Sequence, residues 1–110
     1  PTMAPYCADD VKYPLVEKLV THFETLQKNN EKILGQNIVS LVTVNGVRFT
    51  LEDGSWGLIR ASSNKPSLVV VVESPVSESR MHDVFEFIDA HLATFPQVGA
   101  YDQKISRKSL

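Results

Sequence analysis

Apolar residues recur along this chain with two different periods, and each change of period marks a new element. Leu15, Val16, Leu19, Val20, Phe23 and Leu26 fall at helical spacing, with Glu17, Lys18, Glu24 and Gln27 on the other side. That is the pattern of an amphipathic helix with one face toward a core. Asp9 and Asp10 stand ahead of it as caps, because a short carboxylate accepts from the unpaired N–H groups of a first turn. Pro14 is tolerable only near a helix start, so the first turn is placed a few residues after Asp9-Asp10. Asn29, Asn30 and Gly35 mark the exit. The period then shortens. Ile38 to Val44 is β-branched and apolar, Asn45-Gly46 has the residues of a type I′ turn, and Val47, Phe49 and Leu51 alternate with Arg48, Thr50 and Glu52. Asp53-Gly54 makes a second tight turn into a strand over Ser55–Arg60, and Leu68–Glu73 is apolar enough to be a central strand. Ser77 caps a second helix with Glu78 in its first turn, and Met81, Val84, Phe85, Ile88 and Leu92 give it an apolar stripe.

Two hairpins in series followed by a fourth strand predict an α+β domain. Its four-stranded antiparallel sheet carries two helices packed on one face, a two-layer layout like that of the TATA-box-binding protein. Residues 1–8 read as a strap or linker from a preceding domain, 9–93 as the domain, and 94–110 as a surface tail with a slightly basic end. The chain opens on Pro1 rather than methionine, as expected of a piece of a longer protein. At 110 residues, 43% hydrophobic and 22% charged, it is ordinary for one globular core. The formal charge of −2 gives no pull toward nucleic acid or an anionic membrane, so neither is an expected partner. A lone cysteine, Cys7, rules out an internal disulfide and fits a reducing compartment. There is no apolar run of roughly 18 residues and no secretion signal at the start of the chain, and Lys108-Ser109-Leu110 is not the peroxisomal tripeptide, which makes the cytoplasm the expected location.

One connection is not a tight turn. Arg60-Ala61-Ser62-Ser63-Asn64-Lys65-Pro66 gathers a guanidinium, two hydroxyls, an amide and an ammonium, and nothing acidic lies between Glu52-Asp53 and Glu73. Arginine presents a planar fork of donors that matches two phosphate oxygens, and hydroxyls with successive backbone N–H groups add donors to the same anion. Pro66 limits the shapes the loop can take. An ordinary polar loop has the same composition, so composition alone does not decide between the two.

The wider succession is more specific. Asn45-Gly46-Val47-Arg48, then Asp53-Gly54-Ser55-Trp56-Gly57-Leu58-Ile59-Arg60-Ala61-Ser62, then Pro66 and an apolar strand, closely resembles the last domain of the α-D-phosphohexomutases. The Trp-Gly-Leu-Ile-Arg-Ala-Ser run looks most like the phosphomannomutase/phosphoglucomutase branch, and Cys7-Ala8-Asp9-Asp10-Val11-Lys12-Tyr13 is similar to that branch's entry into the domain. The resemblance covers roughly residues 5–93. It implies the C-terminal, phosphate-binding domain of a four-domain isomerase that interconverts hexose 1- and 6-phosphates through hexose 1,6-bisphosphate. In that enzyme the phosphoserine and Mg²⁺ belong to other domains, so this domain would hold no cofactor and no metal. Its partners would be the phosphosugar and the rest of the enzyme. Carried over by position, Arg60, Ser62 and Ser63 fall where the family's phosphate ligands lie. Asn64 stands where threonine is usual and still offers an amide donor, and Lys65 stands where a neutral or acidic residue is common. The sequence has no catalytic-serine segment and no Asp-Gly-Asp metal loop, so no catalytic residue is assigned and the isolated domain is expected to be inactive.

Other residues are read more plainly. His22, His82 and His91 are surface or boundary histidines, the last two on opposite faces of their helix. Cys7 is a buried or linker thiol, and Asp9-Asp10 and Glu52-Asp53 serve caps and turns. Trp56 is a core side chain, with sugar stacking as the alternative. The competing functional reading is a non-catalytic ligand-binding or protein-interaction module of the same layout.

Overall fold

The computed structural model of the chain describes residues 1–105, so the basic end expected at 106–110 lies outside the described residues. Strand β1 (Thr2–Met3) precedes helix α1 (Asp9–Lys28), strands β2 (Ile38–Val42), β3 (Val47–Leu51), β4 (Trp56–Ala61) and β5 (Leu68–Glu73), and helix α2 (Glu78–Leu92). The strands form one antiparallel sheet in the order β1-β5-β4-β3-β2. Helix α1 packs across β2, β3 and β4, and α2 across β4 and β5. The α+β architecture therefore holds, with a correction: the sheet has five strands, not four. The extra strand comes from the segment read as a strap, where Thr2 pairs with Val71 and Met3 with Val70. So short a strand carries no alternation of its own to mark it, although Met3 is buried in the core.

Alternation decides which side of the sheet meets the helices. Val47, Phe49, Leu51, Ile59, Leu68, Val70 and Val72 are buried, while Arg48, Leu58, Val69 and Val71 between them stay partly open. Helix α1 adds Leu15, Val16, Leu19 and Phe23, and α2 adds Val84, Phe85, Ile88 and Leu92. At the centre the Phe23 and Phe49 rings stack at 4.8 Å. Gly57 faces Phe49 in the register of β3 and β4. A Cβ on Gly57 would lie 2.7 Å from Ile88 Cδ1 and 2.8 Å from Phe49 Cζ, so glycine there lets α2 settle onto the sheet.

Several local expectations are adjusted. Helix α1 starts at Asp9, earlier than Pro14 suggested. Ala8 is its N-cap without a side-chain cap bond, and Asp9 and Asp10 lie inside the first turn. Pro14 and Asp10, whose carbonyl loses its helical donor, are both exposed, so the missing bond disturbs no packing. Asn45 and Gly46 do take positive φ angles, at 59° and 129°, but β2 ends at Val42 and β3 resumes at Val47, so the connection is longer than a two-residue turn. Ser77 caps α2 as expected, accepting from the Arg80 amide at 3.0 Å. Asp53 does more than turn the chain. Its carboxylate accepts from the Ser55 amide at 2.9 Å and from Gln36 Nε2 at 3.0 Å, and it pairs with Arg80 Nε at 3.3 Å. The segment after α2 is less of a surface tail than expected. Phe95, Val98, Tyr101 and Ile105 pack against the core, Tyr101 bridges Pro5, and its hydroxyl donates to Asp89 Oδ1 at 2.9 Å.

Of the histidines, His82 sits deeper than the sequence suggests, while His22 and His91 lie at the boundary. His82 is 3% exposed, a correction to its reading as surface or boundary, and its Nε2 lies 3.9 Å from Glu78 Oε1. His22 on α1 and His91 on α2 stack at 4.1 Å, and His91 also meets the edges of Phe23 and Phe95. Buried Nε2 of His91 has no hydrogen-bond partner among the described residues. Burial pushes the His91 pKa below the ordinary 6.5, and the neighbouring His22 adds to the shift. A histidine held neutral in the fold binds fewer protons than in the unfolded chain. Its stabilising contribution is therefore complete above 6.5 and lost as pH falls from there through the lower folded value. Urea midpoints should drop as the pH falls below 6.5, and His91→Phe should flatten that drop. An unchanged slope in His91→Phe would show that other groups set the acid response.

Candidate functional site

Helix α1, the β2–β3 connection and the end of β4 enclose an open cleft of about 850 Å³, with Tyr13, Glu17, Thr43, Asn45, Arg60 and Ser63 on its walls. Arg60 lies near the end of β4, opposite Val69 on β5. It forms no ion pair among the described residues, and its hydrogen bond from Nη1 to the Ala61 carbonyl is long at 3.5 Å. Most of the guanidinium fork is thus free for a ligand. Gly46 lies against it. A Cβ on Gly46 would press into the Ile59 carbonyl oxygen and stand 2.7 Å from Arg60 Cβ, so the Asn-Gly pair seats the connection against the arginine as well as reversing the chain.

The loop after Arg60 is braced from within. Ser62 is buried, and its Oγ accepts from the Asn64 amide at 3.3 Å and the Lys65 amide at 3.2 Å, which leaves its hydroxyl proton as its one donor. Ser63, Asn64 and Lys65 are exposed. The structure thus brings Arg60 and Ser63 to one cleft, uses Ser62 first to shape the loop, and leaves Asn64 and Lys65 outside the cleft wall. Three successive carbonyls at the end of the loop are engaged by fixed donors. Lys65 O accepts from Lys12 Nζ at 2.9 Å, Pro66 O from the Cys7 amide at 2.9 Å, and Ser67 O from the Ser62 amide at 3.0 Å.

Sequence reading missed two members of this neighbourhood. Lys12 figures in the sequence only as part of the Cys7–Tyr13 run and with no role of its own, yet its side chain is 5% exposed and bridges Asp9 Oδ1 at 2.8 Å and the loop. Glu17 was placed on the outer side of α1, and it does stay exposed, but it also enters the cleft wall. The absence of acidic residues near the loop therefore holds along the chain but not across the fold. A carboxylate and a guanidinium in one cleft suit a ligand with both hydroxyl and phosphate groups.

The remaining candidates recede. Trp56 is half-buried at the opposite end of β4 from Arg60 and lines no part of the cleft. Instead of joining the core, its ring carries the Arg48 guanidinium at 4.0 Å. Cys7 is buried, and burial pushes its thiol up against the opposing pull of Lys12, which argues against a reactive thiolate. Among the described residues no group of three or more His, Cys, Asp or Glu is placed to hold a metal ion. No helix among them is long and apolar enough to cross a membrane.

Comparison with known proteins agrees with the arginine-loop succession. A phosphopentomutase from Thermococcus kodakarensis is 35% identical over 80 residues, covering 73% of this chain. The matched part makes up 16% of that relative, so the chain corresponds to a small fraction of its length. Residues 11–91 match the family described as the phosphoglucomutase/phosphomannomutase C-terminal domain. That match takes in the β2–β5 strands and nearly all of α1 and α2, and with them the cleft and its loop, so the chain belongs to the phosphoglucomutase/phosphomannomutase C-terminal domain family.

Proposed function

We propose that this chain is the substrate-phosphate clasp of a phosphosugar mutase, an isomerase that moves a phosphoryl group between positions of one sugar. The observation that carries this reading is Arg60: a guanidinium that forms no ion pair among the described residues, at the wall of an open cleft, beside a loop whose Lys65 and Pro66 carbonyls are already engaged by other donors. Arg60 supplies the forked donor, Ser63 and Asn64 add donors from the exposed crest, and Ser62 fixes the crest while keeping one proton to give. Lys65 contributes positive charge from the rim. In the phosphomannomutase/phosphoglucomutase reading the substrate is a hexose phosphate, and Mg²⁺ and the bisphosphate belong to the whole enzyme. The phosphopentomutase among its relatives makes a pentose phosphate the competing substrate. Phosphate is common to both, so the clasp is the same in either case.

The direct test is a titration of the chain with inorganic phosphate, followed through backbone amide shifts. One anion held without a sugar should bind with a Kd of about 1 mM, or roughly 4 kcal/mol. Amides of residues 60–65 should move first. Shifts concentrated elsewhere, with this loop silent, would falsify the clasp. A second expectation concerns activity. Without a nucleophile and metal ligands of its own, the chain should not convert glucose 1-phosphate or mannose 1-phosphate in the presence of Mg²⁺.

A further inference from the structure

We propose that Lys12 is a positioning residue for the phosphate loop, a buried cation on α1 that pins the loop at its Lys65 carbonyl; this rests on the clasp reading above. A lysine side chain at 5% exposure is unusual, because removing an ammonium from water is costly unless it is paired and hydrogen-bonded. Lys12 meets that condition with Asp9 Oδ1 at 2.8 Å and Lys65 O at 2.9 Å. Asp9 is itself largely exposed, at 74%, so the carboxylate does not need the lysine. The loop carbonyl is what the burial secures.

An anion site made from a loop works when N–H and hydroxyl groups point at the ligand and carbonyl oxygens point elsewhere. Of the three engaged carbonyls, those of Pro66 and Ser67 are held by backbone amides, and Lys65 O also accepts from the Ser67 amide at 2.8 Å. Lys12 is the side chain in that set, and it reaches across from another element. It therefore couples the start of α1, whose later turns line the cleft through Tyr13 and Glu17, to the loop that carries Ser63 and Asn64. Its ammonium also draws the negative end of the Lys65 peptide dipole away from the incoming phosphate.

Lys12→Met keeps the length and the burial of the stem while removing the donor. The fold should survive, because Asp9 remains in water and Lys65 O keeps the Ser67 amide. Phosphate titration of the wild-type chain comes first: if its loop does not respond, the clasp reading fails and this inference falls with it. Given a responding loop, Lys12→Met should weaken phosphate about five- to twentyfold. Amide hydrogen exchange of Ser67, which donates to the freed carbonyl, should speed up even without ligand. Lys12→Arg, which retains a cationic donor, should recover most of the affinity. Wild-type affinity in a folded Lys12→Met, or a Lys12→Arg as weak as Lys12→Met, would overturn the proposal and leave the clasp reading intact. Should Lys12→Met not fold, Lys12→Gln decides: unchanged affinity and unchanged Ser67 exchange in a folded chain count against it, and losses in both count for it.

Discussion

Phe49→Ala should destabilise the chain by about 3–5 kcal/mol, the usual cost of deleting a fully buried phenyl ring. The site leaves little room to relax. Phe49 is 0% exposed, its ring stacks on Phe23 at 4.8 Å and 11°, and Phe87 meets it edge-on at 6.2 Å. Gly57 closes the remaining side, with the Phe49 ring already close enough to forbid a Cβ. Domains of this size have about 5–15 kcal/mol in total, so the loss is a large share of it. A melting point lowered by on the order of 20 °C is expected. Val44→Ser, at a residue 76% exposed, is the control and should stay within about 0.5 kcal/mol of wild type. Comparable losses in the two variants would mean that the aromatic stack is not the centre of the core. Below its own melting point, Phe49→Ala should still bind phosphate as wild type does, since none of the loop donors rests on that ring.

The parts of this fold that were legible are those with a period or an unbroken apolar run. Both helical stripes and the alternation along β3 could be read because burial on one face repeats along each element, and β5 could be read from its unbroken apolar run, which suits the interior place it takes between β1 and β4. β1 was not legible: Thr2–Met3 is too short to show a period, and it is recruited by β5, an element far along the chain. The packing of residues 95–105 escaped although Phe95, Val98 and Tyr101 recur at every third position, because they belong to no helix or strand and Pro96 and Gly99 among them made the segment read as a tail. At the candidate site, Arg60 and Ser63 stood out because their chemistry is local to one run of sequence. Lys12 and Glu17 did not, because what distinguishes them is the partner across the fold. A lysine in a helix gives no sign that its ammonium ends on a carbonyl of the β4–β5 loop, 53 residues along the chain. Trp56 misled in the opposite direction: its alternating position was read as core, whereas the stripe it joins is the open one, where Arg48 covers it.

Arg60→Ala should separate function from stability in a way no core change can. Because Arg60 is partly exposed, forms no ion pair among the described residues and keeps only a 3.5 Å bond to its neighbour's carbonyl, truncation should alter stability by less than about 0.5 kcal/mol. Losing a charged hydrogen-bonding partner of phosphate typically costs about 1.5–3 kcal/mol, or about ten- to a hundredfold in binding. Arg60→Lys should recover only part of this, since an ammonium keeps the charge but loses the planar fork. The effect should extend to turnover in a full-length mutase carrying this domain. A phosphate held at one end of the substrate orients the other end for transfer, so loosening it loses alignment as well as affinity. The measurement is kcat/KM beside the melting temperature, for Arg60→Ala, Arg60→Lys and wild type. Gly46→Ala makes a useful fourth point: its Cβ would collide with Arg60 Cβ and should displace a guanidinium that remains chemically intact. The clasp predicts the order wild type, Arg60→Lys, Arg60→Ala in kcat/KM, with Gly46→Ala below wild type. Its melting point should fall too, because its backbone φ of 129° disfavours any side chain. If kcat/KM were unchanged in Arg60→Ala, or fell only in step with a collapsing melting point, the arginine would be a structural residue and the phosphate would have to be held elsewhere.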